Sequence, residues 1–506
     1  MHAGRSVSSD GCATSGEGMS RRLFLGGMSA MMASAALVMG ASSTALGDEA
    51  TEAAADDEGE DEEAAVGTTT SALTGWTGTP EDVLALGVST MPLADLNEYR
   101  RQYVEAQTEY TCADGTVVPR VYMQMRALVH SYGQGCGNTP VDTSCLAIMQ
   151  TFTEDQVQGY LEMPWGVEFT AYEFAAESGR DVEEAEELCE LFASEGYLCA
   201  FSNNRGRGYH QVPYFQGVIE YQLDKVVESD YTDLSAYTMA GSDTSYDLTN
   251  GGTPVFYYVP IDKSVVSGGE MLPFDDLKEK IKSRNYVAIC PCACRITALA
   301  AAVGHDNIPS LEDFATGEYE DYFSELCDQR VETCIMTGDE AEYWVERGFG
   351  RRITGEEGAA YIERSIEDGF MLESTFGKNT ETICSCHIKS CNILNGWAAL
   401  GDAETIASAQ AFKQASHYTL EVDPDKCIAC GLCVERCPMQ IITINDEGWA
   451  EPAANCFRCG QCAYVCPQGA RQLVQRDESE LAPLPQGMVE DMNVKAAYRF
   501  EKGLIF

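Results

Sequence analysis

"CIACGLCVERCP", residues 427–438, sets Cys427, Cys430, Cys433 and Cys437 in the spacing C-x2-C-x2-C-x3-C-P, and residues 456–467, "CFRCGQCAYVCP", repeat it with Cys456, Cys459, Cys462 and Cys466. Three thiolates on so short a loop wrap one corner of an iron–sulfur cubane, and the proline turns the chain away behind the fourth. Structural zinc sites use two separated cysteine pairs, so the doubled triplet argues against zinc. Between the runs, "QIITINDEGWAEPA" alternates Ile442 and Ile444 with polar neighbours and turns at Asp446 to Gly448. That pattern predicts a β-hairpin.

Over roughly residues 423–476 the chain resembles the two-cluster bacterial ferredoxins. The resemblance implies two 4Fe-4S clusters, with the fourth cysteine of each run serving the other cluster. Carried over, Cys427, Cys430, Cys433 and Cys466 hold one cluster, and Cys437, Cys456, Cys459 and Cys462 hold the second. Such a module moves single electrons and does no bond chemistry by itself.

The whole chain has 506 residues, 22 of them cysteine, and a formal net charge of -47. That field repels nucleic acid and anionic lipid, so proteins or small molecules are the expected partners. At the N-terminus, Arg21 and Arg22 precede a run from Leu23 to Gly40 rich in small and apolar residues, and Ala45-Leu46-Gly47 suits a cut before Asp48. "SRRLFL" resembles a twin-arginine export signal. The resemblance implies cargo folded and loaded with its cofactor in the reducing cytoplasm, which reconciles export with so many thiols. No other apolar run approaches membrane-spanning length. Residues 48–77, acidic and Ala-, Gly- and Thr-rich, read as an extended linker.

Residues 78–228 read as largely helical. In "DVEEAEELCELFASEG", residues 181–196, Val182, Ala185, Leu188, Cys189 and Phe192 share a face, Asp181 and Glu184 suit a capping box, and Gly196 suits the stop. A shorter helix precedes it, and two strand-like runs around Arg205 and Arg207 follow. The order resembles a winged helix. The would-be recognition helix, however, carries Glu183, Glu184, Glu186, Glu187 and Glu190, which repel phosphate. A packing or protein-docking role is expected, with Cys189 and Cys199 as small core residues.

The middle, residues 229–418, holds further cysteines. "AICPCACRI" puts Cys290, Cys292 and Cys294 at alternate positions, so an extended strand sends all three thiols to one side. Cys327 and Cys334, seven apart, suit one face of a helix. "ICSCHIKSCNIL" adds Cys384, Cys386 and Cys391, with His387 between. Cys290, Cys292, Cys294, Cys384, Cys386 and Cys391 are the economical set for a third cluster; another metal, or free thiols and disulfides, stay open, because no run here has a ferredoxin spacing. Thr354, Glu357 and Gly369 predict a capped and terminated helix. The order of these blocks resembles the multi-cysteine 4Fe-4S binding proteins of anaerobic microbes, which implies an architecture and no settled reaction.

The expected fold class is multidomain α+β: a helical winged-helix-like region, a mixed α/β cysteine-rich middle, a dicluster ferredoxin domain at residues 419–478, and a C-terminal tail at 479–506. Glycine motifs for dinucleotide or nucleotide phosphates are absent, as is C-x-x-C-H for haem. The sequence therefore reads as an exported electron-transfer protein, a subunit or partner of an anaerobic respiratory oxidoreductase more than a stand-alone catalyst. The alternatives are an oxidoreductase acting at an additional cluster or metal in the middle, and an iron–sulfur redox sensor using the winged helix.

Overall fold

Strand alternation fixes the centre of the molecule. Along "VAIC", Val287 and Ile289 enter one apolar core and Ala288 and Cys290 another, so the strand separates two chemically different faces. The computed structural model describes residues 79–136, 139–228, 248–265, 275–317 and 330–505. The segments expected to be an export signal and a linker, and Cys327, lie outside the described residues. Past the linker, the described regions belong to one compact unit.

The N-terminal region is helical, as its periodicity predicts, with helices at Leu93–Glu105, Arg120–His130, Val141–Thr151 and Glu154–Leu161. Then come β1 (Phe169–Thr170), α1 (Ala171–Ser178), α2 (Val182–Ser194), β2 (Leu198–Asn203) and β3 (Gly206–Gln211). They form a three-stranded sheet in the order β1-β3-β2. Asp181 caps α2 by accepting from Glu183 N at 2.9 Å, a simpler cap than the expected box, because Glu184 is drawn to Arg180. Both basic residues of the ribbon are already paired: Arg205 with Glu173 at 3.0 Å, and Arg207 with Glu190 at 3.0 Å and Glu346 at 2.8 Å.

The middle region is built on β4 (Phe256–Val259), β5 (Val287–Pro291), β6 (Glu332–Thr337), β7 (Arg351–Ile353), β8 (Met371–Thr375) and β9 (Thr382–Cys386). They make one six-stranded sheet in the order β4-β8-β9-β6-β5-β7, antiparallel at every pairing. The helices that matter for the site are α3 (Ala293–Val303), α4 (Asp339–Glu346), α5 (Gly355–Glu367) and α6 (Asn392–Ala399). The predicted capping box of Thr354 and Glu357 opens α5. Ile362 and Ile366 of α5 cover the isoleucine face of the sheet, together with Leu277 and Ile281. The opposite face carries Cys290, Cys334 and Cys386.

Two local expectations are corrected. Cys290, Cys292 and Cys294 do not share a strand: β5 ends at Pro291, and Cys292 is the N-cap of α3, so the chain turns helical between the second and third thiol. Cys334 lies on strand β6, not a helix, its β-branched neighbours Thr333 and Ile335 suiting a pleated ladder.

The ferredoxin region pairs β10 (Tyr418–Val422) with β13 (Arg471–Gln475), and the predicted hairpin is β11 (Ile442–Ile444) with β12 (Ala450–Pro452). The expected C-terminal tail is a buried helix, α7 (Met488–Glu501). It returns to the N-terminal helices, where the Arg499 guanidinium donates to His130 O at 2.7 Å and Asn493 donates to Gly166 O at 2.8 Å. Among the described residues no helix is long and apolar enough to cross a membrane.

Helix α4 docks the N-terminal ribbon to the sheet. Tyr343 Oη donates to Ala193 O at 2.7 Å, and Glu340 meets Cys199 and His210 in a fully buried group. Burial pushes Glu340 up to about 8 from 4.5, so it is a neutral acid in the folded chain near neutrality. The folded state then holds a proton that the unfolded state releases. The contribution is present below 4.5 and lost as pH rises through about 8. Denaturant midpoints of the anaerobically purified chain should fall across this window, and Glu340→Gln should flatten the fall. Parallel pH profiles for the two proteins would assign the dependence elsewhere.

Candidate metal centre

The two ferredoxin runs build matching loops. Residues two, four and thirteen places beyond Cys427 and Cys456 pair off with positive φ: Ala429 (50°) with Arg458 (60°), Gly431 (82°) with Gly460 (86°), and Gln440 (58°) with Gly469 (58°). The left-handed turns curl each loop so that its thiols converge. One cavity, of about 340 Å³, is lined by Cys427, Cys430, Cys433 and Cys466. The other, of about 360 Å³, is lined by Cys437, Cys456, Cys459 and Cys462. Each run thus sends its fourth cysteine to the other run's cavity, in the partition the sequence resemblance implies.

Backbone N–H groups point at sulfur. Ala450 N donates to Cys427 Sγ at 3.4 Å and Ala470 N to Cys466 Sγ at 3.3 Å. The Ala450 bond, with that from Ala429, holds the Cys427 pKa below the usual thiol range. Four thiols and inward N–H donors suit an anionic thiolate-bound cluster, so the residues present fit the group.

The two cavities differ in surroundings. Cys430 is exposed, and beside it Ile428 and Leu432 are 60% and 45% exposed. The second cavity faces the body of the protein. Ile261 N donates to Cys459 O at 3.3 Å, Ser264 Oγ to Gly460 O at 2.7 Å, and Ile388 N to Pro438 O at 3.0 Å.

The middle cysteines also converge, with one exchange of membership. Cys292, Cys294, Cys391, Cys386, Cys384 and Cys334 form a closed ring in which each thiol lies close enough to the next to perturb its ionisation. All six line a cavity of about 750 Å³ together with Glu220, Tyr221, Glu340 and Trp344. Cys290, expected in this set, is not in the ring. Its Sγ lies against Gly350, where a Cβ would sit 2.5 Å away, and Cys334, its cross-strand partner, supplies the sixth thiol. His387 does not line the ring cavity, and its Nδ1 accepts from Lys389 N at 3.2 Å.

Helix ends and one cation set the electrostatics of the ring. Cys292 and Cys391 are the N-caps of α3 and α6, where unpaired N–H groups favour negative charge. The Cys294 and Cys334 thiols, aided by the Arg295 guanidinium, draw Cys292 well below the ordinary thiol range. Cys294, Cys334, Cys384 and Cys386 are pushed up chiefly by neighbouring thiols, and Cys391 chiefly by burial.

Arg295 is 1% exposed and laces the thiol-bearing segments together. It donates to Thr333 Oγ1 at 2.7 Å beside Cys334, to Ser385 O at 3.0 Å between Cys384 and Cys386, and to Ser390 Oγ at 3.2 Å beside Cys391. Its own neighbour is Cys294. Nothing in "CPCACRI" singles out this arginine, because its partners come from remote strands.

Comparison with known proteins bears on the C-terminal part. Residues 426–470 match the model of the 4Fe-4S dicluster domain. An uncharacterised protein of Methanocaldococcus jannaschii is 39% identical over 59 residues, 12% of this chain and 22% of the relative. A putative formate dehydrogenase of Staphylococcus haemolyticus is 31% identical over 114 residues, 19% of this chain and 11% of the relative. Ferredoxin-3 of Rhodobacter capsulatus is 29% identical over 75 residues, 10% of this chain and 74% of the relative. The chain thus spans about a fifth and a tenth of the length of the first two. No solved structure matches. The segment 426–470 is thus a 4Fe-4S dicluster domain, similar to a ferredoxin, a type of module that binds iron–sulfur clusters and carries electrons.

Replacing Arg295 by Gln removes the charge and most of the lacing. It should lower unfolding stability by about 3 kcal/mol or more, since several buried acceptors lose a charged donor at once. A change under about 0.5 kcal/mol in denaturant unfolding would show that the guanidinium does not hold these segments.

Proposed function

We propose that the chain is an exported electron carrier that passes single electrons through two 4Fe-4S clusters, as subunit or partner of an anaerobic respiratory oxidoreductase. The observation that carries this reading is the pair of cavities, each lined by four cysteines drawn from both runs. A bound cluster supplies a one-electron store at each. The protein's own residues do the rest: the N–H donors stabilise thiolate, and the loops exclude water from the inner cavity.

The asymmetry of the cavities supports a direction. Ile428 and Leu432 form an exposed apolar patch beside Cys430, which suits transient docking of a redox partner. On the inner side, Tyr258 packs edge-on against Phe457 with ring centres 4.7 Å apart, and Phe457 adjoins Cys456. Tyr258 is in turn the cross-strand partner of Glu373, and Glu373 that of Cys384. A continuous packed path therefore joins the thiol ring to the inner cavity, and we read the ring as a third metal-binding site that extends the wire. The twin-arginine resemblance supports export before use. The paired arginines of the ribbon, with the acidic α2, support reading the winged-helix-like region as a packing module.

A second reading is favoured by the ring cavity of about 750 Å³, in which buried Tyr221 and Glu340 and half-buried Glu220 share the walls with the thiols. Thiol-bound metal and neutral acids in one chamber suit proton-coupled reduction of a small substrate at that site. Turnover with a simple reductant and no second protein would favour it.

Iron and acid-labile sulfide on the anaerobically purified chain test the main reading. About eight of each match two ferredoxin clusters, about twelve add a cluster's worth in the ring, and fewer than about four would defeat the proposal. Export is tested by fractionation: the expected product has a processed N-terminus near Asp48 outside the cytoplasmic membrane, and an intact N-terminus confined to the cytoplasm would oppose it.

A further inference from the structure

Glu373 is a buried acid that no cation pairs with among the described residues. It lies in the middle of β8 and is 0% exposed, and both carboxylate oxygens are buried without a hydrogen-bond partner of ordinary geometry. Native interiors rarely leave such a group unsatisfied, because transferring a carboxylate out of water costs several kcal/mol. Arg295, the cation that laces the ring, gives its guanidinium to Ser390, Thr333 and backbone carbonyls. No ion pair to Glu373 is formed among the described residues.

Sheet register places this carboxylate at the ring. Glu373 is the direct cross-strand partner of Cys384 on β9 and of Tyr258 on β4, so the three stand in one row on one face. One carboxylate oxygen lies within 4.8 Å of both Cys386 Sγ and Cys391 Sγ, which lie equally close to each other. The other buried group of this kind, Cys199, His210 and Glu340, differs in a telling way. There Tyr221 Oη donates to a Glu340 carboxyl oxygen, so that acid has a partner without an ion.

We infer that Glu373 is an oxygen ligand of the metal centre held by the thiol ring, so that one metal ion there is bound by carboxylate in place of thiolate. This rests on reading the ring as a metal site. A cubane takes four protein ligands, and six thiols already exceed that number, so Glu373 is not there to make up a shortage. Its effect is on the character of one metal ion. A hard oxygen donor among soft sulfurs favours iron over metals that prefer an all-thiolate shell, and it marks one iron of the centre as chemically distinct from the others.

The test compares full-length chains purified without oxygen: wild type, Glu373→Gln, Glu373→Ala and Glu373→Asp. Iron per chain and Mössbauer spectra are read, with the EPR signals of the ferredoxin clusters as the internal control. Wild type should hold iron beyond the roughly eight atoms of two ferredoxin clusters. Glu373→Gln and Glu373→Ala should lose the component of one distinct iron, or the whole additional centre, with ferredoxin signals unchanged. Glu373→Asp should restore at least part of it. An additional centre whose iron content and Mössbauer spectrum are identical in all four chains would overturn the inference and leave the ring a metal site. A wild type with no iron beyond the ferredoxin complement would instead overturn the ring reading, and this inference with it. Should the variants fail to fold, ENDOR of wild type carrying isotope-labelled glutamate carboxyl carbon decides: hyperfine coupling to the additional centre is required, and its absence refutes ligation.

Discussion

A single buried guanidinium holds the centre of this molecule in register. Arg295 follows Cys294 directly and reaches Thr333, Ser385 and Ser390, each adjacent to another ring cysteine. A lysine could offer one point charge, whereas the planar fork satisfies several acceptors in fixed directions at once. The same charge favours thiolate over thiol at Cys292, so structural and electrostatic duties fall on one group. The face of Phe370, 4.6 Å from the guanidinium carbon, closes the remaining side against water.

Around that hub, the sheet sorts residues by face. Isoleucine, valine and leucine go to α5 and its neighbours, while cysteine and Glu373 go to the other side. Antiparallel pairing makes the sorting strict, since slipping one strand by a residue would exchange a thiol for an isoleucine. The ferredoxin loops need no such sheet: their convergence comes from left-handed turns at Ala429, Gly431, Arg458 and Gly460. Two routes to a thiol cluster thus coexist in one chain, one through long-range register and one through local turns.

That difference decides what could be read from the sequence. The eight ferredoxin cysteines stand out by spacing, because all lie within two short runs, and their division into two crossed sets is what the resemblance to two-cluster ferredoxins implies. The hairpin at Ile442 and the α5 capping box follow from local chemistry in the same way. The ring is legible only in part. Five of its six cysteines were expected, but Cys334 replaces Cys290, because the termination of β5 at Pro291 turns Cys292 and Cys294 onto a helix. Glu373 gives no signal at all in the string "FMLEST", where it looks like one more acidic residue in an acidic chain. Its neighbours come from β4 and β9, and only register reveals them. The last helix was missed for a related reason: its partners, His130 and Gly166, lie far back in the N-terminal region.

The spread of ring ligands along the chain also imposes an order of assembly. The ferredoxin donors all lie within residues 427–466, on loops shaped by local turns, and can converge as soon as that segment is made. The ring donors are scattered over residues 292–391 on separate strands and helix ends, and they meet only when the antiparallel sheet has closed. Pairings at such sequence separation form late in folding, because loop entropy is lost before contacts compensate it. On the proposed reading of the ring as a metal site, metal delivered early finds receptive thiols at the C-terminal module first, and the inner chamber fills after it.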